Sequence, residues 1–192
     1  MANTLPQSAR QTAGGLTRYY FLRAGIAALW VVAAFTIGAA NPAAAGVLLV
    51  LYPAWDALAN AWDARANGGF RANGSQTLNV IISAIVAVAV AVAAALRIDM
   101  HLVLGLFGAW AILSGVLQLI TGVRRWRTYG AQWAMILSGA QSALAGAFFI
   151  TQATGPMAPS ITTIAPYAAF GAFYFLVSAI ALTIKNRRRA SA

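Results

Sequence analysis

Hydrophobic positions fall in six long runs along this chain, and polar positions collect between them. The runs cover about Tyr19–Ala40, Ala43–Asp63, Thr77–Leu96, His101–Val123, Ala131–Ala153 and Ile161–Ile184. Each holds roughly 20 residues, the length at which an α-helix crosses a hydrocarbon core about 30 Å thick. Stretches such as Ile81–Val90 are β-branched, which in water would favour a strand. They are nevertheless apolar on every side, whereas a membrane barrel strand alternates polar and apolar residues over about 10 positions. Within lipid each backbone donor must be satisfied inside its own segment, so helices are the expected spanning form.

The connections punctuate the runs. Asn41-Pro42 predicts a tight turn, 64–75 is rich in Gly and Asn, and 97–100 is short. Residues 124–130 are basic and aromatic, and 154–160 carry no charge. The expected organisation is a flexible tail over 1–18, a six-helix membrane domain over 19–185, and a basic tail over 186–192. The first apolar run exceeds the roughly 7–15 residues of a signal-peptide core, so it is expected to stay as the first span.

Composition explains why the runs need lipid. Hydrophobic residues make up 61% of the 192 positions and charged residues 8%, against about 25% charged in soluble domains. Too little polar surface exists to coat a water-soluble globule. Cysteine is absent, which excludes disulfide and thiolate chemistry. Arg supplies twelve of the thirteen basic residues and Ala and Gly abound, a bias expected of a GC-rich bacterial genome.

The formal charge of +10 adds an orientation. Arg10, Arg18, Arg23, Arg65, Arg71, Arg124, Arg125, Arg127, Lys185, Arg187, Arg188 and Arg189 all fall on one side of six alternating spans, and Arg97 alone falls on the other. The positive-inside rule makes the crowded side cytoplasmic and places both termini there. Tyr19, Tyr20, Trp62, Trp126, Tyr129 and Trp133 lie near that same boundary, where interfacial aromatics concentrate. Topology thus accounts for the basic residues, and a nucleic-acid partner is not expected. The expected partner is the lipid bilayer, with a second copy or other membrane proteins as further candidates.

The even-numbered runs share a skeleton. Tyr52-Pro53-Ala54-Trp55-Asp56-Ala57-Leu58-Ala59-Asn60, Phe107-Gly108-Ala109-Trp110-Ala111-Ile112-Leu113-Ser114-Gly115 and Phe170-Gly171-Ala172-Phe173-Tyr174-Phe175-Leu176-Val177-Ser178 repeat an order of aromatic, Gly or Pro, Ala, aromatic, then Leu and small residues. The fold class expected is therefore all-α, a six-helix transmembrane bundle built from three tandem helical hairpins, about 19–63, 77–123 and 131–184. With its basic end and the stretch Tyr129-Gly130-Ala131-Gln132-Trp133-Ala134-Met135-Ile136-Leu137-Ser138-Gly139, this pattern resembles the HdeD-like short-repeat integral membrane family. The resemblance covers most of 19–185. It implies a bacterial inner-membrane protein linked in some members to acid stress, and it supplies no catalytic residues.

Chemistry is sought where charge meets membrane depth, because such charge is costly. Asp56, Asn60 and Asp63 share one face of the second helix by their spacing. Counting back from the Asn41-Pro42 turn puts Arg23 level with Asn60, and Asn79 falls at a similar depth. Arg23, Asp56, Asn60, Asp63 and Asn79 form the expected intramembrane cluster, read either as an ion pair that fixes packing or as a proton or ion site. Ala111 and Tyr174 occupy the positions equivalent to Asp56, which argues against a symmetric acidic pathway. Ser138, Ser142 and Gly146, with Gly139 and Ala143, are spaced for close helix packing. Asp99 and His101 form a candidate pH-responsive pair at the external mouth.

One His, three Asp, no Glu and no Cys leave no nucleophile–base set and no metal-ligand set. No enzyme activity, cofactor or metal is expected. The functional expectation is a membrane protein that supports envelope or acid-stress tolerance through packing, protein or lipid contacts. The alternative is a small transporter or channel working around Asp56.

Overall fold

The computed structural model describes residues 7–97, 99–125 and 133–190. The six apolar runs form six helices: α1 (Gln7–Ala33, continued by a π-helical segment over Ala34–Gly38), α2 (Pro42–Ala66), α3 (Gly74–Ala95), α4 (Met100–Arg125), α5 (Trp133–Ala153) and α6 (Ile161–Ala190). No strand occurs among the described residues. Among the described residues, five segments are long and apolar enough to cross a membrane: Gly15–Gly38, Pro42–Ala66, Gly74–Ala95, Met100–Val123 and Ile161–Arg188. Helix α5, two of whose side chains lie outside the described residues, is not one of these five. Large side chains such as Leu29, Leu58, Val88 and Leu144 stand outward and exposed. That is the surface a bilayer solvates.

Both terminal segments depart from the expected tails. Helix α1 starts at Gln7, inside 1–18, and α6 runs to Ala190, inside 186–192. Adding a residue to a helix already nucleated by an apolar span is cheap, and Gln, Ala and Arg are compatible with it. The two ends also meet: the Asn186 side chain donates to Thr17 Oγ1 at 3.4 Å.

The turns follow local chemistry. Asn41 caps α2, its Oδ1 accepting from the Ala43 and Ala44 amides at 2.9 and 3.2 Å, with Pro42 at the first helical position. Between α2 and α3 the buried Asn73 amide donates to the carbonyls of Asn67 and Gly69 at 2.7 and 2.9 Å. Gly68 and Gly69 take φ of 98° and 89° there, a region that L side chains avoid. The loop expected over 64–75 is therefore tied to itself by one side chain.

The connectivity is that of three helical hairpins, yet the closest packing lies between helices of different hairpins. Helices α4 and α5, α2 and α3, and α1 and α6 pack most extensively, whereas the backbones of the two helices within each hairpin stand farther apart. Small residues explain the pairing. Gly108 and Gly115 of α4 meet Gly146 and Gly139 of α5. The buried face of α1 includes Ala24 and Ala27, that of α6 Ala165, Ala168 and Ala179. Helices approach closely where side chains are short. Between α1 and α2, by contrast, the Trp30 and Tyr52 rings stand with centroids 4.7 Å apart and hold the backbones away from each other.

The apolar core occupies the half of the bundle away from the chain ends. It gathers Leu49, Val90, Leu104, Phe107, Trp110, Phe149, Ile161 and Ile164. Phe107 and Trp110 of the shared skeleton point into this core, but Phe170 and Phe173 of α6 lie outward, 53% and 57% exposed. Tyr167, one turn earlier on α6, faces Trp110 instead, with ring centroids 6.3 Å apart. The half nearer the chain ends is packed around polar groups.

Candidate functional site

Asp56 sits on α2, one turn beyond Pro53 toward the end of the bundle where the chain ends lie. Its carboxylate gathers four donors from three helices. Oδ1 pairs with Arg23 Nη2 of α1. Oδ2 accepts from Asn60 Nδ2 at 3.0 Å, Asn79 Nδ2 at 3.0 Å and Ser83 Oγ at 2.9 Å. Asn60 comes from the next turn of α2, and Asn79 and Ser83 are successive turns of one α3 face. The pair is largely removed from solvent, with the Arg23 and Asp56 side chains 13% and 15% exposed.

A second layer fixes the first. Trp110 Nε1 on α4 donates to Ser83 Oγ at 2.9 Å, and Ser114 Oγ donates to Asn79 Oδ1 at 2.8 Å. Each donor to Asp56 from α3 is thus oriented by a group one helix further on. On the other side, Arg23 Nη1 donates to the Tyr19 hydroxyl at 3.2 Å, which donates to the Ala59 carbonyl at 3.1 Å. The guanidinium also lies over the Phe175 ring of α6, 4.2 Å from its centroid, a cation–π contact. Arg23 Nε is buried without a hydrogen-bond partner. Five helices therefore converge on one ion pair.

Of the expected cluster, Arg23, Asp56, Asn60 and Asn79 come together. Asp63 lies further along α2, at the edge of this group and within electrostatic reach of Tyr19. It accepts from Asn67 Nδ2 at 2.9 Å and Gln76 Nε2 at 3.5 Å, and it serves the end of α2 and the turn beyond. The spacing of Asp56 and Asp63 allows a common face, but two helical turns separate them along the axis. Tyr19, Ser83, Trp110, Ser114 and Phe175 were not expected in the cluster. Ser83 and Tyr19 carry a readable signal, because each lies four residues from a cluster member on the same helix, Asn79 and Arg23. Trp110, Ser114 and Phe175 depend on which helices become neighbours.

A smaller polar contact joins α4, α5 and α6. Ser142 Oγ donates to the Ala111 carbonyl at 2.9 Å and lies 2.9 Å from the Tyr167 hydroxyl. Ala111 is the position equivalent to Asp56 in the shared skeleton. Here a backbone carbonyl replaces the carboxylate as the acceptor, and no charge is needed.

Asp99 and His101 meet at the opposite end. Asp99 Oδ1 accepts the His101 amide at 3.1 Å, and His101 Nδ1 stands 3.1 Å from both carboxylate oxygens. The exposed Asp99 carboxyl is held below the usual carboxylate range, first by the His101 backbone N–H and then by its ring. A depressed value means that the charged cap is fully present above the ordinary Asp range and is lost only as pH falls below it. Mild acid should therefore leave Asp99 charged. A carboxyl-carbon NMR titration should place its midpoint below that of an Asp in an unfolded peptide, and Asp99→Ala should speed amide exchange at the start of α4.

Between α1 and α2 a shallow groove of about 410 Å³ opens on the outer surface, lined by Leu29, Trp30, Leu48, Tyr52, Trp55 and Leu58 among others. It is walled almost entirely by carbon, and none of the groups that contact the Asp56 carboxylate line it. Comparison with protein families, with curated proteins and with solved structures finds no match.

Proposed function

We propose that this chain is a multi-pass protein of the bacterial cytoplasmic membrane, with both termini in the cytoplasm, that supports envelope or acid-stress tolerance through packing, protein or lipid contacts rather than by turnover. The observation that carries this reading is the saturation of Asp56. A carboxyl that ferries protons or ions must exchange partners during its cycle, whereas this one accepts four donors, two of them held by further hydrogen bonds. A proton arriving at Oδ2 would have to displace one of three donors, and Asn79 and Ser83 are each held in place by a further hydrogen bond. The arrangement suits a lock that holds helices together. The basic residues on one side support the orientation, and the resemblance to the HdeD-like family supports the acid-stress setting.

The alternative is a small transporter or channel, favoured by one observation: an Arg–Asp pair at membrane depth, where charge is rare. Reconstituted protein separates the two. Liposomes carrying a pH gradient should show no flux above that of protein-free vesicles, and Asp56→Asn should change nothing. Flux that disappears in Asp56→Asn overturns the lock as the whole role. In cells, a deletion strain should lose viability under acid or envelope challenge and regain it with the wild-type chain. Unchanged survival would remove the stress reading, and a C-terminal reporter active only outside the cytoplasm would overturn the orientation.

A further inference from the structure

Helix α6 has 30 residues, about 45 Å of helix against a hydrocarbon core of about 30 Å. Its last turns therefore leave the hydrocarbon and cross the headgroup layer. Ala181, Ile184, Lys185 and Arg188 are spaced i, i+3, i+4 and i+7 there, which places them on one face. All four are exposed, and together they line a concavity of about 450 Å³. Its lower part is apolar and its upper part cationic.

Among the described residues these two cations have no anion of their own. The chain contains three carboxylate side chains. Asp56 is held by Arg23, Asp63 by Asn67 and Gln76, and Asp99 lies at the other end with His101. Neither Lys185 nor Arg188 has an ion-pair partner among the described residues. They are therefore open to an external anion, and the shape of the site says which kind fits. A free phosphate would use the cations and leave the apolar floor bare. A phospholipid places its phosphate at this depth and its acyl chain directly below, along Ala181 and Ile184.

We propose that the end of α6 binds an anionic glycerophospholipid, with the headgroup phosphate on Lys185 and Arg188 and the upper acyl chain on Ala181 and Ile184. This rests on the membrane-embedded reading above. The test uses the full chain in nanodiscs of mixed phosphatidylglycerol and phosphatidylcholine, released into mild detergent, with retained lipids counted by native mass spectrometry. Wild-type protein should keep phosphatidylglycerol in preference to phosphatidylcholine. The double variant Lys185→Gln/Arg188→Gln should hold it roughly thirty-fold more weakly, from the usual contribution of each juxtamembrane cation. Ala181→Phe fills the exposed floor and leaves every charge in place, so it should also lower retention. Arg71→Gln removes an exposed cation elsewhere on the same side and should leave retention unchanged.

If Ala181→Phe retains lipid as the wild type does, or Arg71→Gln loses as much as the double variant, the attraction is diffuse and the site is wrong. Displacement by soluble glycerol phosphate at concentrations that match the lipid would make it a phosphate site and equally overturn the proposal. Resistance of the wild-type protein to carbonate extraction from membranes is measured alongside. Its failure would overturn the embedded reading itself, so the two failures are distinguishable.

Discussion

Asp56→Ala should lower the stability of the folded bundle by about 3–5 kcal/mol, the cost of leaving one member of a buried ion pair without its partner. The substitution strands Arg23 between Tyr19 and Phe175, and it removes the side-chain acceptor of Asn79 and Ser83, while Asn60 keeps its bond to the residue 56 carbonyl. Reversible unfolding in mixed detergent micelles would read the loss. The double variant Arg23→Met/Asp56→Leu should recover most of it, because well-packed apolar residues often replace a buried pair at little cost. Lipid makes that recovery easier, since neither new side chain needs water. If Asp56→Ala is as stable as the wild type, the network is not a lock and the function proposed here loses its support. If the double variant stays as weak as the single one, the Asn and Ser hydrogen bonds dominate over the charge pair.

Gly146→Ala should destabilise the bundle by about 3 kcal/mol, the upper part of the range for overpacking. A Cβ at Gly146 would lie 2.5 Å from the Gly108 carbonyl oxygen and 2.8 Å from the Ile112 amide nitrogen. Both obstacles are backbone, so no rotamer change relieves the clash and α4 and α5 must separate. The contact is reciprocal: a Cβ at Gly108 would lie 2.9 Å from the Gly146 oxygen, and one at Gly115 would lie 2.6 Å from the Gly139 oxygen. Gly25→Ala on α1 is the control, because nothing lies within 4 Å of a Cβ there. It should be no less stable than the wild type, and up to about 1 kcal/mol more stable, because Ala favours a helix interior over Gly. Equal stability of Gly146→Ala and Gly25→Ala would mean that α4 and α5 do not approach as closely as described. A lowered midpoint with unchanged helix content would locate the damage in packing rather than in α5 itself. The α4–α5 contact matters to the polar site as well, since α4 supplies Trp110 and Ser114 to its outer layer.

Much of the ion-pair site was legible before any coordinates. Arg23, Asp56, Asn60 and Asn79 could be placed together because the first hairpin is antiparallel with a known turn. Depth then follows from counting residues at a fixed rise per residue. The same counting puts Asp63 two helical turns from Asp56 and nearer the interface, where it sits at the edge of the group beside Asn67 and Gln76. The outer layer was not legible. Whether Trp110 faces Ser83 depends on α3 and α4 lying side by side at a particular rotation. The apolar pattern does not specify rotation when a helix is apolar on all sides.

The six apolar runs, their length and the scarcity of charge by themselves determine that this chain forms helices of membrane-spanning length. Backbone donors in lipid admit few other solutions. The positive residues add an expected orientation, and the turn chemistry of Asn41-Pro42 sets where the first hairpin reverses. Tertiary structure decided which helices lie closest: α4 with α5, α2 with α3, and α6 with α1. It also decided that Phe170 and Phe173 face outward while Phe107 and Trp110 face inward. In water, hydrophobicity marks the buried side of a helix. In lipid both sides are apolar, so the inner face is chosen by where glycine and alanine let backbones approach and where a carboxylate can find its donors.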